Sequence, residues 1–91
     1  MSKLIDKRAL HRRLARAIGQ LQAVDRMIDE DVPCEELLIQ LAAANSAVKN
    51  AAGFLLEEHI RHCVRDGIEH GDADRTIDDF TAAMKLFTNF K

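Results

Sequence analysis

After Pro33, the single proline of the chain, the sequence runs to about Arg65 with one glycine, Gly53, and no other helix breaker. Along it Leu37, Leu41, Ala44, Val48, Ala51, Leu55 and Ile60 recur at the spacing of an amphipathic helix. A helix of that length extends about 50 Å. Few cores built from 91 residues can cover it.

Two shorter helices flank it. From about Lys7 to Ile28, Leu10, Leu14, Ala17, Ile18, Leu21, Val24 and Ile28 recur every three or four residues, as an amphipathic helix requires, with the basic residues mostly off that stripe. In "DEDVPCEEL", Asp31 or Val32 is expected to cap the long helix and Pro33 to sit in its first turn, where a missing N–H costs nothing. Gly67 and "EHGDADRT" are expected to interrupt that helix, and Asp72 or Asp74 to cap a third one carrying Ile77, Phe80, Ala83, Met84 and Phe87. The expected fold is all-α: three helices, short, long and short, in one domain spanning residues 1–91, with no repeat or linker.

The middle of the long helix, "LAAANSAVKNAAGF", is rich in small side chains, which let a second helix come close. The sequence therefore points to self-association, with two long helices crossing antiparallel near Ala47 and Val48 about a twofold axis. A homo-oligomer also completes the core of so short a chain.

No apolar run approaches the roughly 20 residues that cross a bilayer, and no signal-peptide segment is legible, so a cytoplasmic protein without membrane partners is expected. Enzyme signatures are missing as well. There is no glycine-rich phosphate loop and no HExxH, and Leu56 stands three before His59 where a di-iron bundle would carry Glu. A Cys–His nucleophile pair would sit on a rigid helix with no oxyanion-stabilising loop. Charge is uneven. Residues 1–26 hold seven Lys/Arg against two acids and the remainder six against thirteen, which leaves the net −2. A basic first helix on an acidic protein is a nucleic-acid footprint or a solvated face.

The two cysteines, Cys34 and Cys63, meet different surroundings. In "FLLEEHIRHC", His59 and Cys63 lie one helical turn apart on one side, as two ligands of one ion require; from spacing alone they are equally an ordinary core or surface pair. Cys34 shares that face, but 25 residues separate it from His59, about 38 Å along one helix. Only an antiparallel second copy brings Cys34 beside His59 and Cys63. Two thiolates and one imidazole form a soft donor set that suits Cu(I), and Zn(II) less well because it prefers a fourth ligand. His62 lies about 60° off that face, and His11 and His70 have no partner at ligand spacing.

"RRLARAIGQL", "DVPCEELLIQLAAANSAV" and "LLEEHIRHCV" together resemble, over nearly the whole chain, the CsoR/RcnR/FrmR family of bacterial metal- and aldehyde-responsive repressors. Cys34, His59 and Cys63 are spaced as in its copper-sensing branch. The resemblance implies an antiparallel dimer of helical hairpins that pairs into a tetramer, binds operator DNA without a helix-turn-helix, and releases it on binding Cu(I). It implies DNA contacts at Arg13 and Arg16; Arg12 and Lys49 join them by charge. Copper members often carry Tyr before the cysteine and Glu in the third helix, where this chain offers Pro33 and Asp79, so Asp79 is the expected group behind the metal ligands. Asn50 stands where copper members tend to have an arginine. Alternatives within the family are a persulfide- or oxidant-responsive thiol sensor, whose members usually lack the histidine, and a formaldehyde sensor, whose members lack the second cysteine. A third alternative is a metal-binding helical protein with no DNA role.

Overall fold

The computed structural model describes residues 6–90, so the first five residues of the N-terminal stretch read for a signal peptide lie outside it. The described residues form three helices: α1 (Lys7–Asp29), α2 (Cys34–His70) and α3 (Ala73–Phe87). The all-α expectation holds. No helix among the described residues is long and apolar enough to cross a membrane.

The turn between α1 and α2 is built differently from the sequence reading. Glu30 N–H donates to the Met27 carbonyl at 3.1 Å, and Asp31 then takes a left-handed conformation, φ 55°, which Asp tolerates better than most residues. Val32, preceding proline, is kept out of the helical region. Pro33 is the residue that opens α2, its carbonyl accepting from the N–H groups of Glu36 and Leu37 at 3.0 and 3.2 Å. Neither Asp31 nor Val32 caps α2, and Cys34 becomes its first residue.

At the other end α2 continues past Gly67 to His70. The stop is Gly71, whose φ of 65° favours glycine, and the N–H of Asp72 reaches back to the Gly67 carbonyl at 3.2 Å in a Schellman closure. Asp72 at once caps α3, its side chain accepting from Arg75 N–H at 3.1 Å and its carbonyl from the Thr76 hydroxyl at 2.7 Å. Gly67 has another role: a Cβ built on it would overlap the Thr76 side chain. The residue is glycine because α3 passes close, not because the helix ends there.

The chain divides into two compact units, Arg8–Ala51 and the residues from Ala52 onward, with α2 shared between them. In the first, α1 meets the first half of α2, and Ala9, Ala17, Val24, Ala44, Ala47 and Ala51 are buried. In the second, α3 runs back along the rest of α2, so Phe87 lies beside Gly53 while Thr76 and Asp79 lie beside Cys63. The buried set, completed by Cys63, contains nothing larger than valine. Leu14, Ile18, Leu21 and Ile28 of the α1 apolar stripe are 44–58% exposed in the single chain. Alanines draw the helices together along a narrow seam, and a single neighbouring helix is too narrow to cover the wider apolar stripe.

Replacing Gly67 by Ala is expected to destabilise the protein by about 1–3 kcal/mol, since Thr76 is short, branched and hydrogen-bonded and cannot swing aside. Gly53→Ala, whose new Cβ would stand 3.9 Å from the Phe87 ring, is the control and gains up to about 1 kcal/mol of helix propensity. Urea titration of the two variants checks the contrast.

Candidate metal centre and nucleic-acid surface

Cys63 is buried, 7% exposed, where α3 packs on α2. Its Sγ lies 3.7 Å from Asp79 Oδ2 and 3.8 Å from the Thr76 carbonyl, so the thiol proton has two acceptors within reach. Burial raises the thiol pKa above its ordinary value, the Asp79 charge and hydrogen bond raise it further, and Arg75 opposes them weakly. The structure sets Asp79, singled out in the sequence as the group behind the expected ligands, directly against Cys63.

His59 lies one turn before Cys63 and is half-buried, as is His62. Cys34, at the first position of α2, is exposed. Among the described residues no three His, Cys, Asp or Glu side chains gather within one chain as they would around an ion. Cys34 belongs to one compact unit and His59 and Cys63 to the other. His70 is exposed and bound to its own helix through the Asp66 carbonyl at 2.9 Å, which raises its pKa.

The raised Cys63 pKa fixes a sign. The folded protein holds this proton more tightly than the unfolded chain, so the associated stability is fully present below the unfolded thiol pKa of about 8.5 and is lost as pH rises above it. Metal-free protein is expected to lose thermal stability more steeply than Cys63→Ser between roughly pH 8 and 10, because the serine hydroxyl stays neutral there. Melting curves across that range decide it, Cys34 being common to both proteins.

In the unit Arg8–Ala51, Arg12, Arg13 and Arg16 of α1 line an open groove of about 460 Å³ with Ser46 and Asn50 of α2, over a floor of Ala43 and Ala47. Arg13 is anchored through a 3.4 Å hydrogen bond to the Ala9 carbonyl. Lys49, grouped with these arginines in the sequence, does not line the groove, because it is one residue and about 100° around α2 from Asn50. Gln20 does line it, and was missed. The signal was legible, since Gln20 follows Arg16 by four and Arg13 by seven residues and so shares their face.

Comparison with known proteins gives first the class: residues 6–86 match the family model described as metal-sensitive transcriptional repressor. The chain belongs to that family, the CsoR/RcnR repressors, which are regulators and not enzymes. It is 37% identical over 83 residues to the copper-sensing transcriptional repressor CsoR of Bacillus subtilis, covering 91% of this chain and 82% of that one. It is 39% identical over 75 residues to the copper-sensing repressor RicR of Mycobacterium tuberculosis, covering 80% and 78%. Among solved structures it is similar to the nickel-responsive transcriptional regulator InrS, with a TM-score of 0.86, 28% identity and coverage of 96% of this chain and 98% of that one.

Proposed function

We propose that this metal-sensitive repressor responds to Cu(I), held by Cys34 of one subunit with His59 and Cys63 of another. The observation that carries the proposal is the placement of the donors on α2: His59 and Cys63 one turn apart, and Cys34 at the far end of the same unbroken helix. An antiparallel second copy of α2 supplies the missing thiolate, two such sites per dimer. The exposed apolar side chains Leu14, Ile18 and Leu21 of α1 and Leu38, Ile39 and Leu41 of α2 support association, since surface of this kind is costly in water. Dimers pairing into tetramers cover more of it.

The relatives leave two metals open, copper from CsoR and RicR and nickel from InrS. Donor chemistry favours the first: two thiolates and one imidazole are a soft set. Binding releases the proton that Cys63 shares with Asp79, which breaks the thiol's hydrogen bond to α3. Cu(I) thereby acts on the packing of α2 and α3, and operator affinity falls through that change. Burial of Cys63 with a raised pKa speaks against a thiol-exchange sensor at that cysteine, since exchange needs an accessible thiolate.

Operator binding measured with and without Cu(I), Zn(II), Ni(II), formaldehyde and a persulfide donor tests the assignment. Cu(I) is expected to weaken the complex and to show two sulfurs and one nitrogen by X-ray absorption. Unchanged DNA affinity with Cu(I) bound would end the proposal. Cys34→Ala is expected to lose Cu(I) affinity and keep operator binding, while Arg13→Ala does the reverse. Asp79→Asn is expected to weaken Cu(I) binding about 10- to 100-fold, as loss of a supporting group at a metal site does. Sedimentation of metal-free protein at micromolar concentration should show dimer or tetramer and no monomer.

A further inference from the structure

Gln20 carries an unpaired polar atom: its Oε1 is buried and has no hydrogen-bond partner. Buried acceptors in folded proteins are almost always paired, and an orphan is destabilising. The side chain belongs to the groove that holds Arg12, Arg13 and Arg16, and no carboxylate lines that groove. The free protein therefore keeps an amide oxygen unpaired beside a groove lined by three arginines.

We infer that this groove is a notch for one backbone phosphate of the operator, in which Gln20, with Ser46 and Asn50, supplies neutral hydrogen bonds beside the arginine charges. The inference rests on DNA binding by this surface. Its chemistry follows from the lining. A phosphodiester offers acceptor oxygens and no donors, so it is held by N–H and O–H groups, and guanidinium, amide and hydroxyl donors all face the recess from two helices. When the Gln20 amide turns to the phosphate, its NH₂ donates to it and its freed oxygen accepts from a guanidinium; both ends of the amide are then paired. Ala43 and Ala47 complete the lining with small side chains that leave room for a phosphate. Asn50 makes the same kind of contact from α2 without charge.

Charged and neutral contacts respond differently to salt. Each lost phosphate contact by a cation lowers the slope of log Kobs against log salt by about 0.9, whereas a neutral hydrogen bond releases no counterion and leaves the slope unchanged. Operator affinity is measured by fluorescence anisotropy from low to moderate salt for wild type, Gln20→Leu, Asn50→Ala and Arg16→Ala. Gln20→Leu is expected to lose affinity about tenfold at every salt with an unaltered slope, and Asn50→Ala by a smaller factor in the same manner. Arg16→Ala is expected to lower the slope. Gln20→Glu, which sets a carboxylate against the phosphate, is expected to lose far more than Gln20→Leu. Cu(I) affinity of the Gln20 variants is expected to match wild type, and the melting temperature of Gln20→Leu to be no lower than wild type, since the substitution removes the unpaired acceptor.

Operators bearing one neutral methylphosphonate, moved along the backbone, separate duplex phosphate from free phosphate. At one position per half-site the losses from methylphosphonate and from Gln20→Leu should fail to add. Gln20→Leu binding within twofold of wild type overturns the inference. So does additivity at every methylphosphonate position, and so does competition by inorganic phosphate, at matched ionic strength, that Gln20→Leu abolishes without any operator defect. A wild-type protein that binds no operator overturns instead the proposed function on which the notch depends.

Discussion

The continuity of α2 is the constraint from which the rest follows. A single helix from Cys34 to His70 fixes its side chains in order along a rod, and no local rearrangement brings the two ends together. The helix serves two compact units, one with α1 and one with α3, and each carries a different chemistry. Basic residues collect in the first, while the buried thiol and its acid lie in the second.

The packing along that rod is made of small residues. Alanines on α1 and α2 fill the seam in the first unit, and Gly53 and Gly67 do the same work beneath α3 in the second. Close approach of backbones leaves the larger apolar side chains outside, on surface that a second copy is suited to cover. The same closeness places the Cys63 sulfur against α3, so that the protonation of this thiol bears on the packing of the neighbouring helix.

Glycine and proline show where the sequence misled and why. Gly67 looked like a terminator because glycine weakens helices, yet the helix passes through it; a side chain there would strike Thr76, and contact with α3 is invisible to a reading of local propensity. Pro33 was recognised as a start signal but set one position too far inside, since Asp31 turns left-handed and leaves the first carbonyl to the proline. The Gln20 face was readable from its spacing to Arg13 and Arg16, whereas its unpaired oxygen was not.

By itself the sequence determined the three helices, the placement of Cys34 apart from His59 and Cys63, and the basic face of α1, because periodicity and the rise per residue are properties of a single helix. Only the tertiary structure decided that the core is alanine, that Asp79 and the Thr76 carbonyl stand at the Cys63 thiol, and that Ser46 and Asn50 close a groove with the arginines. Those outcomes depend on which helix faces meet and how near the axes approach, and interhelical distance is set by packed side-chain volumes from segments far apart in the chain.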